Sequence, residues 1–220
     1  MPIKNKDFIE AEYTGKVKDD DFIFDTTDEE SAKDNDILNP NVDYGSVIVC
    51  VGEGHLLKGI ENYLVGKEPG KYHIDLNPEV AFGKKNPKLL KLVPTSVFRK
   101  QNIMPQPGLQ VNIDGVLGTL RTVSGGRCTV DFNHPLSGKE VTYDLNVHRI
   151  VTDVKEKIAS LVKLQLGVKK EDLTIEEKEG TATINFDKKV DLNDEIKKTI
   201  SDKIIELTNI KKIVFANKKE

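Results

Sequence analysis

Pro78-Glu79-Val80-Ala81-Phe82-Gly83 and Phe132-Asn133-His134-Pro135-Leu136 are the two stretches on which the reading of this chain turns. Each is a short aromatic turn that says little alone. Together they continue a series begun by Tyr13-Thr14-Gly15, Phe24-Asp25-Thr26-Thr27 and Leu56-Leu57-Lys58-Gly59-Ile60 and closed by Tyr143-Asp144. Residues 84–131 interrupt that series, so the sequence predicts a compact domain with a second module inserted in it.

Before the interruption the periodicities are those of a small sheet. Ile9, Ala11 and Tyr13 alternate with Glu10, Glu12 and Thr14, which predicts a half-buried strand over residues 7–17. An Asp-rich turn at 19–21 leads into Phe22-Ile23-Phe24, and the acidic residues 28–45, with Asn-Pro and Tyr-Gly signals, read as a long exposed loop. Residues 47–51 form a short strand. Leu57, Ile60 and Leu64 then fall at helical spacing before Gly66. Tyr72, Ile74 and Leu76 share one face of a strand over 70–76, and Val141, Tyr143, Leu145 and Val147 mark a closing strand over 140–150.

Inside the interruption the text changes to short strands and turns. Leu109, Val111 and Ile113 run into Asp114-Gly115, and residues 116–122 run into Gly125-Gly126 before Cys128, Val130 and Phe132; the Asp-Gly and Gly-Gly pairs are hairpin signals. Residues 95–100 form a helical turn between Pro94 and the Pro105/Pro107 loop. Beyond Asp153 the style shifts to an αββαβ unit. Asp153 caps a helix over 153–167 that carries Val154, Ile158, Leu161, Val162 and Leu166 on one face and stops at Gly167. Strands over 173–178 and 181–186 flank Glu179-Gly180. Asp191 or Asn193 caps a second helix with Ile196, Ile200, Ile204 and Leu207, and a strand over 210–216 ends the unit.

Composition bounds the class. In 220 residues, 31% are charged, 6% are aromatic and none is Trp, a Lys/Glu-rich globular profile. Nothing approaches the run of about 18 apolar residues that a membrane span needs. The start is charged with no apolar leader segment, so a cytoplasmic location and no membrane partner are expected. Cys50 and Cys128 sit in apolar runs and read as buried thiols, and His55, His73, His134 and His148 are scattered, so no metal and no cofactor are expected. No catalytic triad, HExxH or phosphate-binding loop pattern occurs. Charge is divided: residues 18–43 hold ten acidic and two basic side chains, residues 84–130 eight basic and one acidic.

The ordered motifs resemble the FKBP family of peptidyl-prolyl isomerases over about residues 5–86 and 129–151. The resemblance implies an α+β fold, an antiparallel sheet wrapped on a short helix. It implies an apolar, aromatic pocket in which X-Pro bonds rotate, built from Tyr13, Phe24, Asp25, Leu56, Leu57, Ile60, Phe82, Phe132 and Tyr143. Ile60 stands where many relatives carry Trp, and Phe82 where they carry Tyr. Asp25, the one carboxylate in that set, reads either as an acceptor that organises Tyr13 or as a turn carboxylate bonded to the amides of Thr26 and Thr27.

The interruption lies where SlyD-like FKBPs carry a chaperone insert, and the αββαβ unit resembles the extra domain of long archaeal FKBPs. The implied organisation is a discontinuous isomerase domain at 1–86 and 131–152, an insert at 87–130 and a C-terminal domain at 153–220. In the insert Leu90, Leu92, Val93, Val97, Phe98, Ile103 and Met104 are the expected contacts for unfolded, proline-containing chains. Its basic excess also admits contact with the ribosome, and the strand edges of the last domain admit a homodimer. A different class, a non-catalytic peptide-binding or ribosome-associated module on the same fold, is the alternative.

Overall fold

Ten residues of alternating burial, Phe8–Val17, form β1, the strand on which the first half of the fold is organised. It is followed by β2 (Ile23–Thr26), α1 (Glu29–Asp34), β3 (Val47–Cys50), α2 (Lys58–Leu64) and β4 (Gly70–Leu76). The interruption contains β5 (Leu90–Pro94), α3 (Thr95–Lys100), β6 (Gln110–Ile113), β7 (Val116–Ser124) and β8 (Arg127–Asp131). The chain then makes β9 (Val141–Val151), α4 (Val154–Leu166), β10 (Leu173–Lys178), β11 (Thr181–Phe186), α5 (Asp194–Leu207) and β12 (Lys212–Asn217). This computed structural model describes residues 1–168, 172–187, 190 and 192–217. The expected cap Asp191 lies outside the described residues.

The chain divides into two compact units, Met1–Leu76 with Val141–Glu220, and Asn77–Glu140. In the first, an antiparallel sheet runs β2-β1-β9-β4, with β3 also paired to β1. Thr14 lies opposite Thr26, and Gly15 lies opposite both Asp25 and Tyr143, so three distant motifs meet at one point of the sheet. The register slips between Gly15 and Lys16 on one side and between Glu10 and Ala11 on the other, bulges that re-aim side chains. Residues 28–45 are not all loop. Asp28 accepts the Ser31 N–H (2.9 Å) and starts the six-residue α1, too short for its periodicity to be read.

The αββαβ segment belongs to this same unit rather than standing apart as a third. Its sheet runs β10-β11-β12, with β11 and β12 parallel, and the caps are Asp153 on α4 and Asn193 on α5. Ile158, Leu161, Ile184, Phe186, Ile200 and Ile204 share one core with Phe8, Cys50 and Val151 of the first sheet. That shared core is the physical reason the two segments do not separate.

The second unit is a four-stranded sheet, β5-β8-β7-β6. Its hairpins turn at Asp114-Gly115 and Gly125-Gly126, all four residues at positive φ, the geometry that glycine supplies without strain. Phe98, Val111, Leu120, Cys128 and Val130 form its core. The unit begins and ends further out than residues 87–130 because its two flanks bond to each other. Asn133 Oδ1 accepts the Asn86 N–H (2.8 Å), the Ser137 hydroxyl donates to the Phe82 carbonyl (3.0 Å), and the Gly138 N–H donates to the Gly83 carbonyl (2.8 Å). The two stretches that decided the sequence reading are thus neighbours, and Phe82 stacks on His134 at 5.0 Å. Among the described residues no helix is long and apolar enough to cross a membrane.

Candidate active site

The first unit gathers an aromatic cluster where β1, β2 and β9 meet. Tyr143, on β9, is 3% exposed. Its ring lies 5.9 Å from that of Tyr13 and meets Phe24 edge to face at 5.8 Å. Gly15 makes this approach possible: a Cβ there would lie 2.8 Å from Tyr143 Cζ and 2.9 Å from Phe24 Cζ. The Tyr-x-Gly motif is therefore a packing requirement, since only glycine leaves room for two rings against β1.

Asp25 bonds to Tyr13 and to one of the two threonine amides, while the Thr27 N–H goes to the Tyr13 carbonyl instead. Its carboxylate accepts from the Tyr13 hydroxyl and from the Thr26 amide. Surrounding protein raises its proton affinity, while those two hydrogen bonds pull the other way. The residue as a whole remains exposed, so solvent limits the rise. Burial, and then the charge of Asp25, push the Tyr13 hydroxyl up to about 12 and raise Tyr143 as well. Both phenols therefore stay neutral at physiological pH, the Tyr13 hydroxyl as the donor to Asp25.

Behind Asp25 the backbone is held by two buried threonines. Thr27 Oγ1 accepts the Tyr13 N–H (2.9 Å), the Thr27 N–H donates to the Tyr13 carbonyl (2.9 Å), and the hydroxyls of Thr14 and Thr26 lie 2.8 Å apart. The sequence offered only the amides of Thr26 and Thr27 as partners for Asp25; the part their hydroxyls play depends on the β1–β2 pairing, which is not a local feature.

Ile60 lies on α2 and is 1% exposed, while Leu56 and Leu57, on the turn before it, are half-buried. Phe82 and Phe132 belong to the second unit. There Phe132 packs against the core, with its ring under the Lys91 ammonium at 5.7 Å. An open cleft of about 770 Å³ also borders Tyr13, but charged and amide groups of Glu12, Lys71, His73, Asp144 and Asn146 line it.

The expected contacts in the insert separate by burial. Phe98 is core at 1% exposure, Val93 and Ile103 pack against that core, and Val97 is half-buried. Leu90, Leu92 and Met104 are exposed, the last two at 65% and 88%. Met104 and Ile103 border an open groove of about 440 Å³ together with Thr95, Arg99, Asn102, Pro105 and Val123.

Residues 91–136 match the family model described as FKBP26, IF domain. The chain is 31% identical over 149 residues to a short-type peptidyl-prolyl cis-trans isomerase of Methanocaldococcus jannaschii, covering 67% of this chain and 94% of that protein. It is 33% identical over 121 residues to a probable FKBP-type 16 kDa peptidyl-prolyl cis-trans isomerase of Pseudomonas fluorescens, 52% of this chain and 79% of that one. It is 30% identical over 113 residues to the FKBP-type isomerase SlyD of Vibrio cholerae, 49% and 56% respectively. With relatives aligned over so much of their own length, the chain belongs to the FKBP-type peptidyl-prolyl cis-trans isomerases.

Proposed function

We propose that X-Pro segments of polypeptide substrates turn over against the Tyr13, Phe24 and Tyr143 cluster, with Leu56, Leu57 and Ile60 as the apolar wall that the family resemblance implies. The barrier to peptide rotation is ~18–20 kcal/mol because C–N double-bond character must be lost. Water bonded to the carbonyl favours the planar, more polar amide. An aromatic seat that excludes that water favours the twisted form and accepts the proline ring. The chemistry breaks no covalent bond, so a packed apolar surface with one organising carboxylate is sufficient. The observation that carries this reading is the packing of the Tyr143 and Phe24 rings into the space left by Gly15, with the Tyr13 ring beside Tyr143 and Asp25 bonded to Tyr13.

The second unit acts as a holding surface for unfolded chains. Leu90, Leu92 and Met104 expose apolar area on a small module, and the basic excess of residues 84–130 attracts acidic client segments. Replacing residues 88–128 by a short loop separates the two activities. Catalysis on a short X-Pro peptide is expected to survive, while acceleration of proline-limited protein refolding is lost. Equal refolding activity in both forms would remove the holding role, and peptide catalysis by neither would remove the aromatic cluster as the site.

A further inference from the structure

Lys203 stands on α5, at the far end of the sequence, yet its ammonium pairs with the Glu53 carboxylate in the turn between β3 and α2. The Glu53 side chain is only 11% exposed. A carboxylate so nearly withdrawn from water needs a cation, and removing its partner leaves an uncompensated charge that draws the turn toward solvent.

Other bonds hold that turn as well. The Cys50 N–H donates to His55 Nδ1 (3.0 Å), and the Lys6 N–H donates to the Val51 carbonyl (2.8 Å). Glu61, buried on α2, takes the N–H groups of Gly54 (3.1 Å) and Leu56 (3.4 Å) on one oxygen. The same face of α5 reaches a second point nearby, where Glu206 pairs with Lys6 at 2.9 Å. The segment presenting Leu56 and Leu57 is thus fixed to α2 from one side and to α5 from the other.

We propose that α5 is a positioning element of the isomerase site, with Lys203 acting through Glu53 on the turn that presents Leu56 and Leu57. This rests on the reading that those two leucines wall the proline seat. The C-terminal segment is then a part of the catalytic scaffold as well as a structural appendage.

The test is Lys203→Met in the full chain, with kcat and KM measured on an X-Pro peptide and amide exchange followed at Gly54 and Leu56. Exchange is expected to quicken at both amides, and kcat/KM to fall about threefold to tenfold, mostly in KM, with the melting transition still cooperative. Lys203→Arg, and the swap Glu53→Lys with Lys203→Glu, are expected to restore both readouts. Unchanged exchange with unchanged kcat/KM overturns the coupling and leaves the site reading standing. Faster exchange with unchanged kcat/KM overturns the proposal together with the wall assigned to Leu56 and Leu57. A fall in kcat/KM without faster exchange also overturns it, since Lys203 would then act by another route.

Discussion

Gly15 shows how much one missing methyl decides. A Cβ at this position would press on the rings of both Tyr143 and Phe24, and both are anchored in the sheet rather than free to swing away. Gly15→Ala is expected to cost about 1–3 kcal/mol of stability by overpacking, and to lower kcat/KM on an X-Pro peptide. Chemical denaturation and peptide kinetics check it together. Asp25 gives a pH signature. Its folded-state pKa is raised, chiefly by burial, so its contribution favours the folded state at low pH and is lost as pH rises through that raised value. Asp25→Asn never carries the penalised charge. The variant is therefore expected to gain stability relative to the parent at neutral pH, a gain that vanishes in acid, in paired denaturation curves. Loss of the carboxylate that orients Tyr13 is expected to lower kcat/KM in the same protein at neutral pH.

At the scale of elements, the hairpins of the insert were legible because their information is local. Asp114-Gly115 and Gly125-Gly126 carry the positive φ values that a two-residue hairpin needs, and the strands on either side alternate. The division of labour among the apolar residues of the insert was not legible. Phe98 and Met104 look equally suited to client contact in sequence, yet one fills the core and the other projects into solvent. Phe98→Ala is expected to cost about 3–5 kcal/mol, the usual range for emptying a buried aromatic site. Leu92→Ser with Met104→Ser is expected to shift stability by about 0.5 kcal/mol or less while weakening the refolding effect. Denaturation of the purified variants, beside a refolding assay, separates the two classes. A stable Phe98→Ala variant would mean the core repacks around the gap.

On the scale of the whole molecule, the C-terminal segment is tied into the first unit by a shared core. A chain ending at residue 152 would expose Phe8, Cys50 and Val151, which now pack with α4, α5 and their sheet. Such a chain is expected to melt well below the full protein or to aggregate, as seen by calorimetry and light scattering. An unchanged melting temperature would show that the core divides cleanly at Asp153. What the sequence by itself determined was local: strand faces, hairpin turns, the cap Asp153, and the order of motifs that marks the family. Periodicity and backbone preference are properties of a few consecutive residues, so they can be read in one dimension. Only the tertiary structure decided that Gly15 makes room for two rings, that Phe98 is core, that Phe82 lies against His134, and that α5 reaches Glu53. Each of those depends on which distant residues share a volume, and packing in three dimensions fixes that.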